Sequence, residues 1–225
     1  MRTVVIDNSV IPFFLREGEK TARCLPGDVR RVSGVHDTLP TLLDFDRLIV
    51  TGSEASVLAD DDWIKRQADL VSYAVLAGKH VLGICFGHQL LARALWGKDH
   101  VWRTARAEFG WYPVALDVAE PLFEDLPQRA YWFCSHYDEV HDPPAAARVL
   151  AHSESCGVQA FQVAGFPSWG IQFHPEFWGP HAHLMLAAMT LHDKMLVVAK
   201  QSAPSAATAA ERARRLFVNF WRQMN

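Results

Sequence analysis

The sequence predicts an α/β fold: three layers around a mostly parallel central sheet, with a small antiparallel extension. Three observations carry that prediction. Apolar runs TVVID (3–7), DRLIVTGS (46–53) and HVLGI (80–84) read as strands buried on both faces. Helical patterns, DDDWIKRQADLVSYAVLAGK (60–79) and FGHQLLARALWG (86–97), alternate with them, which implies parallel strands with helices on both faces. The middle of the chain then turns to short, aromatic-rich segments of antiparallel character.

Each element has its own local reason. In the first helix Asp60 to Asp62 sit where the helix dipole favours negative charge. Trp63, Ile64, Ala68, Val71, Val75 and Leu76 recur at near-helical spacing, and Gly78 closes the end. Between the first and second strands, to about residue 40, Pro12, Gly18, Pro26 and Gly27 predict an irregular connection. WYPVALDV (111–118), RAYWFCSHYDEV (129–140), ARVLAHSE (147–154) and VQAFQVAG (158–165) form the extension, and SWGIQF (168–173) returns to the main sheet. The tail is helical in two pieces, LMLAAMTLHDKMLVVAK (184–200) and AERARRLFVNFWRQMN (210–225), joined by QSAPSAAT. The expectation is one domain over 1–225, with a core to about 185 and a helical tail from about 184.

Composition narrows the function. The chain has 225 residues, half of them apolar, enough for one sizeable core. With 22 Lys+Arg against 25 Asp+Glu, the net charge of −3 offers no broad basic field for nucleic acid or an anionic membrane. No apolar stretch reaches the ~18 residues of a membrane span. The first residues lack a signal-peptide pattern. Cys24, Cys85, Cys134 and Cys156 lie far apart with no CxxC pair, which predicts reduced thiols and a cytoplasmic location.

The chemistry concentrates at GICFGHQ (83–89). A side chain at a tight strand-to-helix corner is lifted into the crevice at the strands' carboxyl end, and glycines two before and two after relieve the crowding. The helix beginning at Phe86 turns its amides and positive end toward the Cys85 sulfur, an arrangement that favours a thiolate and faces an oxyanion after attack on a carbonyl. Against this stands the plain reading of a buried cysteine beside a glycine-rich turn. A base is available downstream in GIQFHPEF (170–177), where His174 leaves a strand end and Glu176 follows two residues later to orient the ring.

With these motifs the chain resembles the triad-type (class I) glutamine amidotransferases, on GICFGHQ, GIQFHPE (170–176), SHYDEV (135–140) and the TGSEAS loop (51–56). It is similar to stand-alone members akin to the amidotransferase domain of GMP synthetase, including plant γ-glutamyl peptidases. The resemblance implies a flavodoxin-like sandwich in which Cys85 attacks the γ-amide of glutamine, His174 shuttles protons and Glu176 orients His174. It further implies an oxyanion hole from the Phe86 amide and the Gly52–Ser53 turn. Gln89, Ser135, His136, Tyr137 and Asp138 would bind the substrate, glutamine or another γ-glutamyl compound. No cofactor and no metal are implied. The family loop reads Gly-Gly-Pro where this chain has Gly52-Ser53-Glu54. No Ser-Gly-Gly-Val-Asp-type ATP loop is present, so an ammonia acceptor would belong to a separate synthase subunit, or there is none.

Three functions follow. The first is a glutaminase, or the glutamine-hydrolysing component of an amidotransferase. The second is a γ-glutamyl peptidase with the same triad, and the third a catalytically silent binding module. The intact Cys85, His174 and Glu176 speak against the last. Other residues read more plainly. His181 and His183 suit a polar loop better than a metal site, Cys134 a small buried position, and Trp169 and Trp178 packing. Glu108 reads equally as a family position near the site and as an exposed acid.

Overall fold

The computed structural model describes residues 2–10, 17–192 and 203–223. Among these described residues nine strands form one sheet. They are β1 (Thr3–Asp7), β2 (Val29–Ser33), β3 (Arg47–Val50), β4 (His80–Ile84), β5 (Val101–Leu116), β6 (Arg129–Val140), β7 (Ala147–His152), β8 (Ala160–Val163) and β9 (Ser168–Ile171). Their order is β2-β1-β3-β4-β9-β8-β7-β5-β6. From β2 to β9 every neighbouring pair is parallel, and from β9 to β6 every pair is antiparallel. The aromatic segments are thus a continuation of the sheet, hinged on β9.

Among the described residues five α-helices cover it: α1 (Glu17–Cys24), α2 (Asp62–Leu76), α3 (Phe86–Trp96), α4 (Pro180–His192) and α5 (Ala206–Arg222). The period-two alternation of the strands sorts side chains into two cores. Val4, Ile6, Leu48 and Val50 join Ile64, Val71 and Val75 of α2 and Phe86, Leu90 and Leu91 of α3 on one face. Val5, Ile49, Leu82 and Ile84 meet Leu216, Phe217 and Phe220 of α5 on the other. A third, smaller cluster unites Trp111 and Phe133 of the extension with Phe177, Met185 of α4 and Ala209 of α5.

The stretch read as irregular, from the first strand to about residue 40, contains α1 and β2. The sequence hides them because α1, EGEKTARC, is mostly polar, and β2, VRRVS, turns two arginines to solvent at the sheet edge. The first long helix starts at Asp62, and Gly78 closes it with a φ of 71°. Residues 193–200 of the first tail helix lie outside the described residues, as do 224 and 225 at the end of the second. The second begins at Ala206, earlier than its apolar face suggests, because Ser205 caps it by accepting from the Thr208 amide at 3.1 Å.

Candidate active site

The corner between β4 and α3 is as tight as its glycines suggest. Cys85 has a φ of 50°, in the left-handed region that side chains rarely adopt. A Cβ on Gly83 would stand 2.3 Å from the carbonyl oxygen of Gly87, and one on Gly87 would stand 2.1 Å from that of Val50. Both glycines therefore let the first turn of α3 press onto β3 and β4. The strained residue, at a typical cost of ~1–3 kcal/mol, is held from both sides. Its amide donates to Ile171 O at 2.8 Å, and its carbonyl accepts from the Gln89 amide at 3.1 Å. The sulfur is buried and points at the Ser135 carbonyl, 3.7 Å away.

His174 follows β9, the strand paired with β4, so residues from adjacent strand ends approach each other. Its amide donates to Phe133 O at 2.7 Å. Its ring stands edge-on to Phe133 and Phe177. Nδ1 lies 2.7 Å from Glu176 Oε1, and Nε2 makes no hydrogen bond among the described residues. Burial alone would lower the basicity of this ring. The negative charge of a Cys85 thiolate and of Glu176 outweighs burial and holds the imidazole well above its ordinary value.

The turn after β3 closes on the same ring. A Cβ on Gly52 would stand 2.8 Å from His174 Cε1, so only glycine fits there. Thr51 fixes the turn from behind: its hydroxyl accepts from the Asn8 amide at 3.0 Å and donates to Gly52 O at 3.0 Å. Ser53 Oγ accepts from the Ala55 amide at 3.1 Å, and Glu54 accepts from the Val10 amide at 2.8 Å. Side chains thus shape this turn.

Of the expected substrate-binding residues, Ser135 faces the Cys85 sulfur through its carbonyl, and the others are held by contacts among themselves and with neighbouring elements. Gln89 donates Nε2 to Asp138 O at 2.6 Å and to Gln172 Oε1 at 3.0 Å, tying α3 to β6. His136 is buried, with Nδ1 3.1 Å from Asp138 O and Nε2 3.0 Å from Glu108 Oε2. Tyr137 is half-buried, edge-on to Phe109 and beneath the Arg103 guanidinium, 4.2 Å from the ring centre. Asp138 pairs with Arg103 at 3.7 Å and bonds the Ser56 hydroxyl at 2.5 Å.

Two acids complete the surroundings. Glu108, left open by the sequence, is fully buried beneath β6. It accepts from Gln159 and the hydroxyls of Ser153 and Ser155 as well as facing His136. Burial would raise its carboxyl, but these partners prevail and hold it down at about 2. Glu17 escapes sequence reasoning altogether: the first residue of α1 reaches the His174 ring, a proximity that no spacing in the sequence announces. Glu108, Cys134 and His136, and separately Glu17, His174 and Glu176, each bring three potential metal-donor atoms within 4.8 Å of one another. His181 and His183 lie on the first turn of α4 rather than in a loop, and both are exposed. Trp169 is buried and donates to Glu120 at 2.8 Å; Trp178 packs against the third cluster. Among the described residues no helix is long and apolar enough to cross a membrane.

Comparison with known proteins matches this architecture. The family description "Glutamine amidotransferase class-I" fits residues 26–191. A glutamine-hydrolyzing GMP synthase subunit from Sulfurisphaera tokodaii is 35% identical over 135 residues, which cover 60% of this chain and 69% of that protein. The protein of the same name from Pyrococcus abyssi is 40% identical over 96 residues, 43% of this chain and 50% of that one. Among solved structures, a glutamine amidotransferase from Thermotoga maritima superposes with a TM-score of 0.82 at 21% identity, covering 99% of both chains. A glutamine amido transferase from Methylobacillus flagellatus gives 0.73 at 23% identity, covering 98% of this chain and 94% of that one.

Proposed function

Because the chain belongs to the class-I glutamine amidotransferases, we propose that it hydrolyses the γ-amide of glutamine through a γ-glutamyl thioester on Cys85. The observation that carries the proposal is the strained Cys85 corner beside a buried His174–Glu176 pair whose free Nε2 is poised for proton transfer.

The steps follow from the chemistry of these groups. The Cys85 thiolate attacks the amide carbon, and the negative charge that develops on oxygen faces the amides of Phe86 and the Gly52–Ser53 turn. The imidazolium of His174 delivers its proton to the amide nitrogen; the C–N bond breaks and ammonia leaves. A water then gives its proton to His174 and attacks the thioester carbon; the C–S bond breaks, releasing glutamate and restoring the Cys85 thiolate beside the protonated His174. Glu176 holds the ring by Nδ1 throughout. Ser135, His136, Tyr137 and Asp138, braced by Gln89, form the wall that grips the amino-acid end of the substrate. The relatives' name marks one component of a synthase, which supports delivery of the ammonia to a separate protein.

Turnover of glutamine set beside γ-glutamyl peptides tests the substrate, with mass detection of the trapped acyl-enzyme. Glutamine turnover that disappears in Cys85→Ala is the expected result. Undiminished hydrolysis by that variant refutes the assignment, and preferred release of an amine from the peptides replaces glutamine with a γ-glutamyl peptide as substrate.

A further inference from the structure

This inference rests on the thiol–imidazole reading just given and concerns Glu17. Glu17 is 1% exposed, and its Oε2 has no hydrogen-bond partner among the described residues. One donor atom from each of Glu17, His174 and Glu176 lies within 4.8 Å of the other two. A Cβ built on Gly52 would stand 2.4 Å from Glu17 Oε2 and 2.8 Å from His174 Cε1. The carboxyl and the imidazole therefore press on the same side of Gly52, and the missing side chain is the space they share. A second carboxyl in so dry a corner is costly unless it has a task.

We propose that Glu17 is a positioning residue of this site: an uncharged carboxyl that braces the His174 ring against the Gly52 turn and leaves Glu176 as the single negative partner of the imidazole. Two carboxylates cannot both ionise cheaply beside one imidazolium. Glu176 has the 2.7 Å contact to Nδ1, so Glu17 is the one that keeps its proton. Burial is the main cause and lifts Glu17 to about 8. The groups facing it are His174, which opposes the rise, and Glu176, Glu54 at the turn after β3 and Asp7 at the end of β1, which add to it. Lys20, farther along α1, also acts on it.

The consequence has a definite sign. Near neutrality Glu17 is uncharged, and the ring can release its proton to the leaving nitrogen. When Glu17 ionises, a second negative charge holds that proton on the ring and opposes a negative sulfur. Both effects slow the acylation step. No bond to substrate is made or broken at Glu17.

The test follows alkylation of Cys85 by iodoacetamide, detected by mass, from about pH 5 to 10, and so requires no known substrate. Wild type is expected to show an inflection near pH 8 that Glu17→Gln lacks. Thermal melting checks that the variant folds. Should it not, Glu17→Asp decides: withdrawing the carboxyl by one methylene must displace the inflection. Superimposable profiles of wild type and Glu17→Gln, or an inflection left in place by Glu17→Asp, overturn the proposal. His174→Ala separates the two levels. A profile unchanged by His174→Ala removes the thiol–imidazole reading and this inference with it. A profile altered by His174→Ala yet untouched by Glu17→Gln removes only Glu17.

Discussion

Arg47 on β3 donates Nη2 to the main-chain oxygen of Trp221 at 2.9 Å, joining residues 174 positions apart. Its guanidinium also lies over the Trp221 ring, 4.8 Å from the centre. A buried arginine thereby closes the carboxyl end of α5, where the helix dipole favours positive charge. Together with Leu216, Phe217 and Phe220 it makes α5 one wall of the core beneath the parallel sheet.

The helix should accordingly be inseparable from the fold. Phe217→Ala is expected to cost about 3–5 kcal/mol, the usual range for emptying a buried aromatic site. Chemical denaturation of the variant checks this. A loss below about 1 kcal/mol would mean that α5 is only a loosely attached appendage.

At the nucleophile corner, Gly87→Ala must displace backbone, since its Cβ meets the Val50 carbonyl at 2.1 Å. We expect about 1–3 kcal/mol of destabilisation or more. Reactivity of Cys85 toward iodoacetamide should drop in the folded fraction, because α3 can relieve the clash only by lifting its first turn. Thermal melts and labelling at a temperature well below the transition separate the two effects.

The imidazole and its acid should contribute unequally. His174→Ala removes the proposed proton carrier and is expected to lower turnover by ~10²–10⁴. Glu176→Gln keeps a partner at Nδ1 and should lower it less. Steady-state kinetics on glutamine provide the comparison, and equal losses would contradict this division of roles.

Glu108 gives a prediction in acid. Its carboxyl falls from an ordinary 4.5 to about 2 on folding, so its contribution to stability is complete above 4.5 and is lost as pH falls toward 2. Wild type should lose stability across that window. Glu108→Gln should start less stable by on the order of 1–3 kcal/mol and change less between those limits. Urea midpoints measured at several acidic pH values check it, and parallel curves for both proteins would argue against a charged, hydrogen-bonded Glu108.

Much of this arrangement is legible in the sequence because it is written locally. A Gly-x-Cys-x-Gly corner announces itself through steric necessity. The strand RAYWFCSHYDEV is readable with its observed limits because β-rich residues fill it and turns bound it. What escapes depends on partners remote in the chain. Glu108 is buried by His136, 28 residues on, and by Gln159, 51 residues on, so nothing nearby distinguishes it from a surface acid. Glu17 begins a short polar helix, and it comes to Gly52 because β1, before it, pairs in parallel with β3, before the Gly52 turn. Composition conceals α1 and β2 for a related reason: an edge strand and a mostly polar helix do not need the apolar rhythm on which such readings rely.

The pairing of β4 with β9 has a wider consequence. Cys85 and His174 leave neighbouring strand ends, with the Cys85 amide already bonded to Ile171. The long excursion through β5 to β8 departs from one side of that seam and comes back to the other. Its loops can lengthen, bulge or acquire new contacts without prying sulfur from imidazole. Such a scaffold holds the Cys85–His174 pair at one seam of the sheet while the loops of the excursion are left free to vary.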